Sequence, residues 1–181
     1  MKFEIRLSGT GGQGLILAGI ILGEAAGIHE NLFATQKQSY GPEARGGASR
    51  SDVIISDREI EDPEIIEPDI LLAMSQEACD RYAKRLRKGG ILIVDKSLVS
   101  LGSVDLDARI YSIDFTRLAR STFNKQVVAN IIALGAVIHL LKVVSRESIL
   151  KILGKRVPSE FLSVNQNALD LGIKLSKEMS V

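Results

Sequence analysis

The stretch Gly9-Thr10-Gly11-Gly12-Gln13-Gly14 restricts the possible folds more than any other part of the chain. Before it, Phe3-Glu4-Ile5-Arg6-Leu7 alternates apolar and polar residues as a strand does. After it, Leu15 to Ala26 is an apolar run of helical length. A strand that turns through glycines into a helix aims several backbone N–H groups and the positive helix end at one point, which suits an anion such as a phosphate. That is the physical content of G-x-G-x-x-G. The same glycines also fit a turn that only lets helix and sheet pack closely. The flanking strand and helix favour ligand binding.

Further along, Asn31-Leu32-Phe33-Ala34-Thr35 reads as a second strand and Ser49 to Ile55 as a third. A turn at Ser56-Asp57-Arg58 can then reverse the chain toward Glu59-Ile60. Acids dominate from Asp57 to Asp69, and Pro63 and Pro68 block a long helix there, so this is a solvated connection. Asp69-Ile70-Leu71-Leu72-Ala73-Met74 and Gly90-Ile91-Leu92-Ile93-Val94-Asp95 are short apolar runs, as expected of parallel strands covered on both faces. Between them an amphipathic helix sets Cys79, Tyr82, Ala83 and Leu86 against a basic face of Arg81, Lys84, Arg85 and Lys88. Arg109-Ile110-Tyr111-Ser112-Ile113 supplies another strand. A long helix follows from Lys125 to Val144, then helices over Arg146–Leu153 and Ser159–Lys177, with Ser145 as a cap and a turn at Pro158.

Alternating strands and helices predict a three-layer, doubly wound α/β domain, one unit over residues 1–181, with C-terminal helices and a mostly parallel sheet that has room for one antiparallel strand. The apolar helix after the glycine turn carries a single charge, Glu24, so it needs cover on two sides. Gly19 and Gly23 allow close approach either to the chain's own sheet or to a partner subunit. Asn130, in the long helix, needs partners for its amide, either a loop backbone or a ligand, and loop anchoring is the expected role.

Net charge is +1, so neither nucleic acid nor an anionic membrane would meet a strong attracting field. Cys79 is the only cysteine, which rules out an internal disulfide and a four-thiolate iron–sulfur site, and it fits the reducing cytoplasm. The two histidines, His29 and His139, lie far apart, and His29-Glu30 lacks the second histidine of a zinc-hydrolase helix. No metal site is expected. The chain opens on a strand without the sections of a secretory signal, and its apolar runs fall short of the roughly 20 residues a membrane span needs.

In such folds ligands sit beyond the carboxyl ends of the strands, which brings the glycine turn, Ser75-Gln76, Asp95-Lys96-Ser97 and Asp114 to one rim. The second strand should end on an acid if a dinucleotide ribose binds, yet it ends on Thr35-Gln36. Gln38-Ser39-Tyr40-Gly41-Pro42-Glu43-Ala44-Arg45-Gly46-Gly47 reads as a long loop, where Arg45 can grip a phosphate or carboxylate and Tyr40 can stack on a planar group. Neither a Walker A sequence nor a G-x-S-x-G elbow is present, which argues against a stand-alone kinase or hydrolase.

Three of these segments, the glycine turn, the loop from Gln38 to Gly47 and Asn130-Ile131-Ile132-Ala133-Leu134-Gly135-Ala136, in this order, resemble the gamma subunit of 2-oxoacid:ferredoxin oxidoreductases. The continuation Ala48-Ser49-Arg50-Ser51 resembles the 2-oxoglutarate branch. The resemblance implies a subunit, without turnover of its own, of a complex that oxidatively decarboxylates a 2-oxoacid to an acyl-CoA and reduces ferredoxin. It implies thiamine diphosphate, Mg and iron–sulfur clusters on partner subunits of alpha, beta and delta type. It also implies that this chain contributes to coenzyme A binding through Gly9, Thr10, Gly11, Gly12, Gln13, Gly14, Tyr40 and Arg45. Pyruvate, a branched-chain oxoacid or indolepyruvate stay open as substrates. An independent dinucleotide-binding protein and a purely structural subunit stay open as other classes.

Overall fold

A computed structural model describes residues 1–40, 48–102 and 105–179. Its strands are β1 (Lys2–Thr10), β2 (Phe33–Tyr40), β3 (Ala48–Ser56), β4 (Ile70–Ala73), β5 (Gly90–Asp95) and β6 (Ala108–Ile113). They form one six-stranded sheet in the order β2-β3-β1-β4-β5-β6. β1, β4, β5 and β6 pair in parallel, while β3 pairs antiparallel with both β1 and β2. Only β3 runs against the rest, the antiparallel member the sequence allowed for.

Successive side chains of a strand point to opposite faces, and here the two faces meet different helices. Ile5, Leu7, Val53, Ile55, Ile70, Leu72, Ile91 and Ile93 pack under α1 (Leu15–Glu24), α3 (Phe115–Phe123), α4 (Ala129–Leu141), α5 (Arg146–Arg156) and α6 (Ser159–Glu178). Leu71, Ala73, Leu92 and Val94 meet Ala78, Cys79 and Tyr82 of α2 (Gln76–Tyr82) on the other face. β4 and β5 are buried throughout because both faces are covered. The result is the three-layer arrangement expected, with a thick helical layer and a thin one.

The largest difference from expectation is in the left half of the sheet. β2 spans Phe33–Tyr40, not Asn31–Thr35, so Gln38, Ser39 and Tyr40 are strand residues rather than loop. The hairpin ladder from Phe33 opposite Ser56 to Tyr40 opposite Ser49 imposes the extension. Asn31, with φ 54°, turns the chain into this strand. Between Ser56 and β4 no strand forms: the connection is mostly exposed, with Ile65 and Pro68 buried. The expected long helix is shorter at both ends, with a tight turn over Gln126–Val128 before α4 and a left-handed Lys142 (φ 61°) after it. α3 was not anticipated, although Phe115, Leu118, Ala119 and Phe123 have a helical apolar spacing.

α1 continues through a wide turn over Ala25–His29. Gly19 faces β3: a Cβ there would lie 2.0 Å from Ser51 Oγ. The helix's glycine face therefore packs on the chain's own sheet. At its end Glu24 accepts from Arg156 Nε at 3.0 Å, tying α1 to α5. Ser145 caps α5 by accepting from the Ser148 N–H at 3.2 Å, as expected.

The polar half of β1 is buried as well. Arg6 is 1% exposed, and its Nε and Nη2 donate to the two carboxylate oxygens of Asp52 at 2.8 and 2.9 Å. Nη2 also donates to the Ile65 carbonyl at 2.9 Å, which holds the acidic connection against the sheet. The guanidinium stacks on Tyr82, 4.9 Å from the ring centroid.

Candidate functional site

The glycine segment starts inside β1, which takes in Gly9 and Thr10 because both pair with β3, and it turns from Gly11 at the carboxyl end of the sheet into α1. Gly9 sits where a Cβ would lie 2.1 Å from Gln13 Oε1, so the missing side chain is what lets Gln13 fold back over the turn. Gln13 Oε1 accepts from the Thr10 N–H at 2.8 Å, and its Nε2 donates to the Met74 carbonyl at 2.8 Å. Gln13 is thus the brace of the turn rather than a free polar contact, since its amide is spent on β1 and β4. Gly14 caps α1 with φ 74°, and a Cβ on it would lie 2.4 Å from Asn130 Nδ2. That amide nitrogen donates to the Gly14 carbonyl at 3.0 Å, the loop-anchoring role expected of a buried asparagine.

Asn130→Asp should lower stability by about 1–3 kcal/mol, because a carboxylate oxygen would then face the Gly14 carbonyl where a donor stood. A urea midpoint equal to that of the natural chain would show that Asn130 anchors nothing.

The rest of the rim is consumed by structure. Ser75 caps α2 through the Ala78 N–H at 3.2 Å. Gln76 donates to Asp80 and accepts from the Ser100 N–H, both at 2.8 Å. Asp95, fully buried, accepts from the Ser97 N–H at 2.9 Å and from Thr116 N–H and Oγ1 at 2.9 and 2.6 Å, fixing the start of α3. Ser97 Oγ donates to Asp114. In contrast, Gly11 and Gly12 are exposed, and the N–H groups of Gly11, Gly12, Gly14, Leu15 and Ile16 have no acceptor among the described residues. These donors lie at the positive end of α1, where a cradle for an anion would need them.

A cleft of about 200 Å³ opens beside the cradle, lined by Gly12, Gln13, Met74, Thr116, Gln126, Val127 and Ala129. Gln126 and Val127 escaped the sequence reading because they belong to the short turn before α4, taken there as helix. Arg50 faces Ser8 across the β1–β3 ladder but does not line this cleft: its Nε lies 3.5 Å from Asp52 and its guanidinium 6.0 Å from the Tyr82 centroid. Thr10 is exposed at the end of β1. Tyr40 closes β2 opposite Ser49, and its side chain, like the whole of Arg45, lies outside the described residues.

The topology bears on a dinucleotide as well. In the standard doubly wound fold the strand beside β1 runs parallel to it and ends on the ribose-binding acid. Here that neighbour is β3, which runs the other way and presents its first residues, Ala48-Ser49-Arg50, at the rim. Thr35 and Gln36 lie mid-strand, and Gln36 Nε2 donates to Ser51 Oγ at 2.8 Å. The position that reads the ribose in a dinucleotide site is therefore occupied by a strand start. Cys79 makes a poor nucleophile: burial, then the charge of Asp80, pushes its thiol pKa up.

Comparison with known proteins agrees with this geometry. The family model for pyruvate ferredoxin/flavodoxin oxidoreductase matches residues 4–175. The 2-oxoglutarate synthase subunit KorC of Methanocaldococcus jannaschii is 48% identical over 180 residues, covering 99% of this chain and 96% of that protein. The gamma subunit of a keto/oxoacid ferredoxin oxidoreductase from Geobacter sulfurreducens superposes with a TM-score of 0.90 at 43% identity, covering 98% of each chain. The fold also recurs at TM-score 0.86 and 22% identity in a 2-oxoglutarate:ferredoxin oxidoreductase from Magnetococcus marinus, solved with 2-oxoglutarate, coenzyme A and succinyl-CoA bound. There it matches 98% of this chain but 31% of that one. The chain belongs to the pyruvate ferredoxin/flavodoxin oxidoreductase family, as a gamma-type subunit of the 2-oxoacid:ferredoxin oxidoreductases on the 2-oxoglutarate side.

Proposed function

We propose that this chain serves a 2-oxoglutarate:ferredoxin oxidoreductase by receiving a phosphate group of coenzyme A at the turn Gly9 to Gly14. The observation that carries this reading is the set of N–H groups on Gly11, Gly12, Gly14, Leu15 and Ile16, which lack an acceptor among the described residues and lie at the start of α1. Gly9, Gln13 and Asn130 hold the turn in shape. Thr10 borders it, and Arg45 and Tyr40 complete the proposed set. A phosphate bound there would be neutralised by the helix end and by arginine, while the thiol end is left free to reach chemistry carried elsewhere.

When bound on alpha, beta and delta-type partners, thiamine diphosphate with Mg supplies the carbanion chemistry and the iron–sulfur clusters supply the path to ferredoxin. This chain fits neither group, since it lacks the G-D-G signature of a thiamine diphosphate site and has one cysteine where a cluster takes four thiolates. Its own work is to bind and orient, in the cytoplasm, where a lone buried thiol stays reduced.

In the assembled complex, Gly12→Ala and Arg45→Ala should each raise the KM for coenzyme A about tenfold or more with a smaller change in kcat, the signature of lost ground-state binding. Gly12 has φ 87° and nothing within 4 Å of a Cβ position, so alanine there disturbs the cradle's shape without a clash. That same open space favours a second reading, in which a partner subunit packs on the turn. In that case the substitutions would loosen the complex and leave the coenzyme A KM unchanged.

A further inference from the structure

We propose that a groove between the entry to α4 and the α5–α6 turn seats an apolar segment of a partner subunit, one whose carboxylate pairs with Lys125. This goes beyond the coenzyme A reading and does not rest on it.

The groove encloses about 500 Å³, and its apolar walls come from Leu17, Val127, Ile131, Val157, Phe161 and Val164. That volume lies in the range that accepts a drug-sized molecule, so it can take more than one side chain, as when one face of a helix lies in a groove. Val127 is 66% exposed and Phe161 38%, so large apolar groups stand in water at its centre. Exposed apolar groups gathered in one groove, rather than scattered singly, mark an interaction site.

Charge selects the occupant. The lining contains Lys125 and Arg156 and no carboxylate. Arg156 is already neutralised by Glu24. Lys125 has no carboxylate within ion-pair distance among the described residues, and its ammonium lies 4.1 Å from the Phe161 ring centroid. An incoming segment therefore gains by being apolar at its centre and negative at its edge.

A second observation points to a protein occupant. In the Magnetococcus chain this fold makes up 31% of a longer polypeptide, whereas the Geobacter gamma subunit, matched over 98% of its length, is a chain of its own. A free-standing subunit must hold to its assembly through side chains where a longer chain also has peptide bonds. The groove lies next to the cradle, since Val127 lines both, so a segment docked here would also fix the glycine turn relative to the rest of the enzyme.

The test uses the complete complex with a tagged partner subunit. Phe161→Asp and Lys125→Glu should each raise the dissociation constant of this chain from the complex at least tenfold, with the coenzyme A KM of the remaining assembled enzyme unchanged. The thiol introduced by Phe161→Cys should react with a maleimide in the free chain and be protected in the complex, because the native Cys79 is buried. Undiminished assembly by both charged variants would overturn the proposal. So would equal labelling with and without partners, or intact assembly with a raised coenzyme A KM, which would make the groove part of a ligand site. If Phe161→Asp does not fold, the labelling comparison decides.

Discussion

Asp52→Ala should lower the folding free energy by about 3–5 kcal/mol, the range seen when one partner of a buried ion pair is removed. For a domain of ordinary stability, about 5–15 kcal/mol, that is a large share of the total. Asp52 is 5% exposed and Arg6 is 1% exposed, so water cannot replace the lost carboxylate. The guanidinium would keep one hydrogen bond, to the Ile65 carbonyl, and the face of Tyr82. Its Nη1 already has no hydrogen-bond partner among the described residues. Arg50, whose Nε is 3.5 Å from the same carboxylate, would lose its counter-charge too. The double variant Arg6→Met with Asp52→Leu should recover most of the loss, because no charge is then left buried. Equilibrium unfolding in urea at neutral pH measures both. A single variant within about 1 kcal/mol of the natural chain would mean that the pair is not the lock between β1, β3 and the acidic connection.

Gly172→Ala and Gly154→Ala should move stability in opposite directions although both lie inside helices. Alanine has the better intrinsic helix propensity by about 1 kcal/mol, and this is all that acts at Gly154, where nothing lies within 4 Å of a Cβ position. At Gly172 a Cβ would lie 1.8 Å from the Ile132 carbonyl oxygen and 3.1 Å from the Ala136 nitrogen, both backbone atoms that no rotamer change can move. Across the same seam a Cβ on Gly135 would lie 2.2 Å from the Leu169 carbonyl oxygen. The helices α4 and α6 touch backbone to backbone there and would have to separate. The expected loss for Gly172→Ala is about 2–3 kcal/mol or more, at the upper end of overpacking effects. A rise in midpoint for Gly154→Ala beside a fall for Gly172→Ala would assign the difference to contact. Equal shifts would refute the close approach.

What could be read along the chain was what is local in cause. The 2.0-residue period of β1, the apolar runs of β4 and β5, the Ser145 cap and the glycine turn each depend on neighbours within a few residues, and each appears where expected. The family was legible for the same reason: three short segments keep their order and wording. What required the folded chain was pairing over distance. Arg6 and Asp52 are 46 residues apart, and Asn130 meets Gly14 across 116. Nothing in either neighbourhood names its partner.

The rim shows the same division. Residues chosen for polarity, Ser75, Gln76, Asp95 and Ser97, proved to be spent on caps and turns, and Gln13 is the brace of its own loop. The donors left over among the described residues are backbone N–H groups of the turn and of the first residues of α1, which no composition count reveals. β2 reads as half strand and half loop because its polar residues Gln36 to Ser39 draw their order from the ladder with β3, not from their own periodicity. The chain's residue order therefore determined the turn, the strand runs and the relatives. Tertiary structure alone decided that β3 slides between β2 and β1, that a buried ion pair locks it there, and which N–H groups stay free, because hydrogen bonds and charges are settled by whichever partner the fold brings near.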